Sequence, residues 1–160
     1  TVTLKEKQPL IVPPSVQRKA GIKPGDRLEF TISAGKIAIT HVERTYKPTK
    51  AEWAAIRQGE AEIARGESVS LTGFFMTWTV IVGKSARKNL AKLPAKDQDK
   101  LRTALLAIAA DPFSGDILKI EGESNRWRRR VGSYRIFFSV DATSRTVGVS
   151  AIVRRTSTTY

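Results

Sequence analysis

The 160-residue chain contains no cysteine and a single histidine, His41. Without cysteine there is no disulfide framework, no thiolate nucleophile and no cysteine-ligated zinc. With one histidine, a histidine dyad and a multi-histidine metal site are both excluded. Neither a glycine-rich phosphate loop nor a serine-hydrolase elbow occurs. The longest apolar runs are short, such as Leu105-Leu-Ala-Ile-Ala-Ala110, and cannot span a bilayer. No helical pattern pairs a basic face with bulky apolar anchors, as an interfacial helix requires. The start of the chain carries no signal-peptide pattern. These absences give the expectation of a cytoplasmic protein with no metal, no cofactor and no membrane partner.

Acidic residues are scarce. There are 28 Lys and Arg against 15 Asp and Glu, a net charge of +13. The imbalance points to nucleic acid, a membrane surface or an acidic protein as partner, and nothing in the helical patterns supports the membrane. It is also uneven. Residues 1–75 hold 12 basic and 8 acidic residues, net +4, and residues 76–160 hold 16 and 7, net +9. The densest stretch, Arg126-Trp-Arg-Arg-Arg-Val-Gly-Ser-Tyr-Arg135, places five arginines in ten positions. Each guanidinium stays protonated at any working pH, so the crowding costs repulsion unless an anion sits among them.

Three segments follow from the local patterns. In residues 1–45, Pro9-Leu-Ile-Val12 reads as a short strand ended by Pro13-Pro14. Pro14 suits the start of a short helix and Gly21 its stop. Pro24-Gly25-Asp26 is a turn. Leu28, Phe30 and Ile32 alternate, Ala34-Gly35 turns, and Ile37 and Ile39 alternate on the return strand. So small a unit buries too little apolar surface alone and is expected to dimerise. In residues 46–75, Thr45-Tyr-Lys-Pro48 reads as a linker. Thr49 and Glu52 form a capping box, and Trp53, Ile56 and Ile63 share a helical face. Gly59 weakens that helix by about 1 kcal/mol relative to alanine, and Gly66 ends it. The following Ser68-Val-Ser-Leu-Thr-Gly-Phe-Phe75 is extended and apolar. A marginal helix carrying Trp53, Phe74 and Phe75 suits a segment that wraps a partner surface. Residues 76–160 begin at the only methionine, Met76. They read as strand, helix (Ala86, Leu90 and Leu93 on one face), helix over about 95–110 (Leu101, Leu105, Ile108) and three or four strands. This β-α-α-β-β-β order implies an antiparallel sheet with a helical hairpin on one face. The whole is therefore an α+β protein of two domains.

The segment Val12-Pro-Pro-Ser-Val-Gln-Arg-Lys-Ala-Gly-Ile-Lys-Pro-Gly-Asp-Arg-Leu-Glu-Phe30 resembles the AbrB/MazE-like swapped-hairpin DNA-binding module, over residues 3–42. The resemblance implies an intertwined dimeric barrel gripping operator DNA, with Arg18 and Lys19 at the basic loop and Lys5 and Lys7 reaching phosphates. Ordinary solvated charges are the bland alternative for these four. Residues 76–160 resemble the RelE/ParE toxin superfamily through "WTVIVGKSARKNLAKL", "ILKIEGESNRWRRRVGSYRIFFSV" and the terminal "VRRTSTTY". The chain thus looks like an antitoxin joined end to end with its toxin. Residues 46–75 are then the neutralising segment, with Trp53, Ile56, Glu60, Glu62, Ile63 and Glu67 as its contact residues.

Strand alternation points Arg126, Arg128 and Arg130 to one face, and Trp127, Arg129 and Val131 to the other. A basic face of Arg128, Arg130, Arg135 and Arg154 is expected if the last strand joins the sheet. The RelE-like reading is cleavage of mRNA on the ribosome. Arg128 and Arg130 then occupy the basic strand positions, Arg135 and Arg154 hold the phosphate, and Tyr160 stacks on a base or protonates the leaving oxygen. Some family members carry lysine on that strand. Arginine is a poor base, so either Glu121, Glu123 or a ribosomal group takes the proton, or general-base help is slight. Two further readings stay open: a ParE-like toxin that binds DNA gyrase, and an autorepressor whose toxin half is inactive. In the bland alternative the arginines only pair with acidic residues such as Glu52, Glu60, Glu62 and Glu67, or with solvent.

Overall fold

The protein's structure, a computed structural model, describes residues 9, 11–42, 44–71 and 77–155. Lys5, Lys7, Phe74, Phe75, Met76 and Tyr160 lie outside the described residues. The chain forms two compact units, residues 1–44 and 45–160.

In the first unit, helix α1 (Pro14–Lys19) starts at its proline and stops at Gly21, whose φ of +69° a side chain would resist. The Lys23 amide donates to Asp26 at 2.8 Å and closes the next turn. Strands β1 (Arg27–Ser33) and β2 (Lys36–Val42) pair antiparallel around Ala34 and Gly35, both at positive φ. That two-residue turn matches the twist of its strands. Phe30 stands opposite Ile39, and Ile32 opposite Ile37. Phe30, Ile32 and Ile37 are all more than half exposed. The expected strand at residues 9–12 does not appear among the described residues, where Ile11 and Val12 carry no secondary structure. A strand needs a neighbour for its backbone groups, and the hairpin of one chain is only two-stranded. The expected barrel therefore does not appear among the described residues of the chain.

The second unit is built on a seven-stranded sheet ordered β3-β6-β7-β8-β9-β5-β4. Its elements are β3 (Thr45–Tyr46), α2 (Lys50–Ala64), β4 (Ser68–Leu71), β5 (Thr79–Gly83), α3 (Lys84–Ala91), α4 (Ala95–Ala110), β6 (Ile117–Ile120), β7 (Arg126–Val131), β8 (Tyr134–Asp141) and β9 (Thr146–Arg154). The helical hairpin and the strands fall where the periodicity put them, but the sheet is mixed rather than antiparallel. β5 runs parallel to β9, and β3 parallel to β6. Reading strands in chain order misses this, because β5 pairs with the last strand and not with the next one.

Both faces of the sheet are covered, which is why β8 reads as a nearly continuous apolar run. Ile136, Phe138 and Val140 face the α3–α4 side, in one core with Val80, Leu101, Leu105, Ile108, Val147 and Val149. Phe137 faces the other way, in a second core with Ile56, Ile120 and Ala151. Phe137 and Ile56 are 0% and 1% exposed, and burial of this kind stabilises by about 1.5–3 kcal/mol per side chain.

Helix α2 carries the expected capping box, with the Glu52 amide donating to Thr49 Oγ1 and the Thr49 amide donating back to Glu52 Oε2. Its buried line runs Glu52, Ile56, Gly59, Glu62 rather than Trp53, Ile56, Ile63. Trp53 and Ile63 flank that line, half-buried. Residues Thr45 and Tyr46, read as linker, are a strand of the sheet: they pair with Lys119 and Ile120, and the Glu121 amide donates to the Tyr46 carbonyl.

Candidate functional site

Strand β7 divides its arginines as alternation requires. Trp127 and Val131 pack against the α3–α4 core, and Trp127 meets Phe113 edge-on at 5.3 Å. Arg129 shares that side, where burial lowers its pKa and Asp111 partly restores it. Arg128 stands opposite Phe137, and Arg130 opposite Arg135. Arg126, Arg128, Arg130 and Arg135 therefore share the face that α2 covers.

Arg154 does not join them. Its partner is Tyr134, whose side chain belongs to the α3–α4 core, while Val153 stands opposite Arg135. Arg154 accordingly lines a cleft with Asn89, Lys92 and Tyr134 on the other face. The expected four-arginine face of Arg128, Arg130, Arg135 and Arg154 loses its last member by one residue of register. Tyr160 lies outside the described residues.

The centre of the arginine face is occupied by residues from 45–71. The Arg135 guanidinium donates from Nη1 to Glu52 Oε1 at 2.7 Å. The Tyr46 hydroxyl donates to Glu52 Oε2 at 2.7 Å, and the Thr49 amide donates to the same oxygen at 2.9 Å. The Tyr46 ring lies against two guanidiniums, with Arg128 Cζ 5.0 Å and Arg135 Cζ 5.1 Å from its centroid. Such contacts are worth about 0.5–2 kcal/mol each, more when water is excluded. Burial alone would raise the Glu52 carboxyl, but the hydrogen bonds from Thr49, Tyr46 and Arg135 outweigh it and hold the group below its ordinary pKa. Burial and the Glu52 hydrogen bond push the Tyr46 phenol up to about 12, against the pull of both arginines.

Arg128 is 8% exposed. Its only ion-pair partner among the described residues is Asp116, to which Nη1 donates at 3.1 Å, and its Nε is buried without a hydrogen bond. Two positions before it on β7, Arg126 grips Glu60 through Nε and Nη2 at 2.6 and 3.0 Å and also pairs with Glu123. This two-pronged geometry is the strong form of an arginine–carboxylate bond, and the Glu60 hydrogen bond leads in raising the Arg126 pKa. Arg130 is exposed.

Glu62 and Glu67 turn elsewhere. Helix α3 begins at Gly83 with no side-chain cap of its own. Glu62 supplies one from α2, accepting from the Ser85 amide at 2.7 Å and from the Ser85 hydroxyl. Glu67 accepts from Lys84 and Arg65, both at 2.9 Å. Ile56 is buried against the sheet, Ile63 sits near Gly148, and Trp53 carries Arg57 over its ring at 5.7 Å. Arg18 and Lys19 end α1 in the first unit, where they are exposed. Among the described residues no three His, Asp or Glu side chains are grouped as metal ligands are.

One central residue escaped the sequence reading: Tyr46 looked like linker. Glu52 was read as a cap and, in the bland alternative, as one of four acidic partners of the arginines, but not as a residue of the buried face. The signal for that burial was present: positions 52, 56, 59 and 62 follow helical spacing as well as 53, 56 and 63 do. A buried carboxylate, however, is not sought on the apolar face of a helix.

Residues 80–158 match the family of the ParE toxin of type II toxin–antitoxin systems, parDE. No curated protein matches the chain. Among solved structures, the chain is similar to one in the archaeal RelE–RelB complex from Pyrococcus horikoshii OT3. The identity is 22%, the match covers 45% of this chain and 88% of that one, and the TM-score is 0.41. By this match, residues 80–158 are similar to a toxin domain of the type II toxin–antitoxin class.

Proposed function

We propose that the chain is a toxin and its antitoxin in one polypeptide, with residues 45–71 holding the toxin domain inactive. The observation that carries this reading is the covered arginine face: α2 sets Glu52 on Arg135 and Glu60 on Arg126 while Tyr46 lies against Arg128 and Arg135. A solvated surface has no need of carboxylates matched to guanidiniums at this density.

Uncovered, the face suits cleavage of RNA. A ribose 2′-hydroxyl attacks the adjacent phosphorus and gives up its proton, the bond to the 5′ oxygen breaks and that oxygen takes up a proton, and negative charge grows on the phosphoryl oxygens on the way. Arg128, Arg130 and Arg135 are placed to stabilise that charge without reorganising. They cannot take the 2′ proton. Glu121 and Glu123 follow β6 and are the nearest acidic residues in sequence to β7, and Glu123 is held by Arg126. Arg154 and Tyr160 stay assigned to the RNA by resemblance alone. The first unit, with Arg18, Lys19, Lys5 and Lys7, is assigned to operator DNA. Its exposed apolar ladder of Phe30, Ile32 and Ile37 supports pairing with a second copy.

The family match favours a second reading, in which the domain binds DNA gyrase and cuts nothing. One experiment separates the two. A protease site is inserted within residues 72–76 of the full chain, and cleaved and intact protein are added to cell-free translation and to a supercoiling assay. Cleaved protein that stops translation with discrete mRNA ends, dependent on Arg135, supports the ribonuclease. Inhibited supercoiling with intact mRNA supports gyrase binding. Silence in both assays leaves a repressor with an inactive toxin half.

A further inference from the structure

The pair that fills the arginine face is chemically particular. Tyr46 offers a flat ring to two guanidiniums, and Glu52 offers an anion to Arg135 at 2.7 Å. The two are joined through the Tyr46 hydroxyl, so ring and anion form one continuous object. Neutralising positive charge requires only carboxylates, as Glu60 on Arg126 demonstrates. The ring answers a second demand of the surface: a slot between Arg128 and Arg135 that accepts a π face. That slot is left unfinished by its occupant. Arg128 is almost fully buried, yet its Nε has no acceptor among the described residues. Buried guanidinium hydrogens normally find one.

We propose that Tyr46 and Glu52 imitate a nucleotide, the ring standing where a base stacks and the carboxylate where a phosphate sits. A phosphate has more acceptor oxygens than a carboxylate, and so has one to spare for the unpaired Arg128 Nε while another takes the Arg135 guanidinium. A base stacks on guanidinium planes whatever its sequence. Arg126, Arg128 and Arg130 at alternate positions of β7 continue the basic track along the strand, as a chain of nucleotides requires. The ligand is therefore single-stranded RNA, and the covering segment competes with it for the same slot. This inference rests on the reading of residues 45–71 as a neutralising cover.

The test uses the full-length protein and two fluorescein-labelled probes: a uridine tetranucleotide and its abasic counterpart with the same number of phosphates. Phosphate-only binding, including any by the first unit, is then common to both at fixed salt. Anisotropy titrations are run on the wild type, Tyr46→Ala and Tyr46→Phe. Tyr46→Ala is expected to bind the uridine probe about tenfold more tightly than the wild type. The abasic probe should gain far less, and Tyr46→Phe, which keeps the slot filled, should leave both unchanged. Tyr46→Val, which suits a strand and removes the ring from the slot, serves if Tyr46→Ala fails to fold. It should show the same preference for the base, and adding Arg135→Ala should remove that preference. Equal gains on both probes overturn the proposal, as does no gain in either variant. Displacement of the uridine probe by a phosphotyrosine peptide better than by uridine 3′-monophosphate overturns it in favour of a protein ligand. The ribonuclease reading fails separately: base-dependent binding with intact mRNA sinks cleavage and leaves the imitation standing, while cut mRNA without base preference does the reverse.

Discussion

A Cβ placed on Gly59 meets the Ser150 carbonyl oxygen at 1.8 Å and the Ser150 Cα at 2.8 Å. The helix therefore lies directly on the backbone of β9, and what it touches there cannot swing aside as a side chain does. Alanine is better than glycine inside an isolated helix by about 1 kcal/mol. Here the collision outweighs that gain. Gly59→Ala is expected to destabilise the second unit by about 1–3 kcal/mol net, read as a lower urea midpoint. A stabilised Gly59→Ala protein would show that α2 does not sit on β9.

The Glu52–Arg135 pair is nearly dry, with side-chain exposures of 8% and 20%. Removing one member strands the other, which costs about 3 kcal/mol or more when the partner stays buried. Glu52→Ala and Arg135→Ala are each expected to destabilise strongly, and the double variant to cost much less than their sum. A double-mutant cycle should return a coupling above about 1 kcal/mol. Additive losses would mean that the two groups act independently.

The same pair sets a dependence on pH. The folded Glu52 carboxyl titrates below its unfolded value, where glutamate has a pKa of about 4.3. Its contribution is therefore complete above that pH and is lost as pH falls through the folded pKa. Urea midpoints of the wild type should drop more steeply than those of Glu52→Gln once the pH is taken below about 4. Parallel curves would remove Glu52 from the balance.

Duplex binding by the first unit should follow counterion release. Changing Arg18 and Lys19 to alanine is expected to weaken binding and to flatten the plot of log affinity against log salt by about one unit per lost phosphate contact. An unchanged slope takes both residues out of the interface.

The hairpin ladder makes a prediction about assembly. Ile32 is 79% exposed in one chain. If a second copy covers it, Ile32→Lys should raise the dimer dissociation constant at least about tenfold, equivalent to 1.4 kcal/mol, in sedimentation experiments. A wild type that sediments as a monomer, or a variant that dimerises as well, refutes the pairing.

Much of the architecture was legible because it rests on short-range rules. Ala34-Gly35 demanded a hairpin turn, Thr49 and Glu52 a capped helix, and Leu101, Leu105 and Ile108 a buried helical stripe. Alternation on β7 sorted Arg128 from Trp127 correctly. What escaped was long-range. Arg154 lies on the opposite face because of its register against Tyr134, and nothing near residue 154 encodes that offset. Gly59 read as a flaw because propensity describes a helix alone, whereas Ser150 lies 91 positions away in sequence. Tyr46 read as linker because a two-residue strand has no periodicity.

Both outermost strands of the seven-stranded sheet, β3 and β4, come from the one segment that also carries α2. Stripping that segment away leaves the order β6-β7-β8-β9-β5, with bare backbone donors and acceptors along two flanks. Such flanks recruit any passing strand. If the proposed cover is released in this way, the exposed domain is not only unmasked but sticky, and its working lifetime is set by how soon it finds a partner or clumps with its own kind.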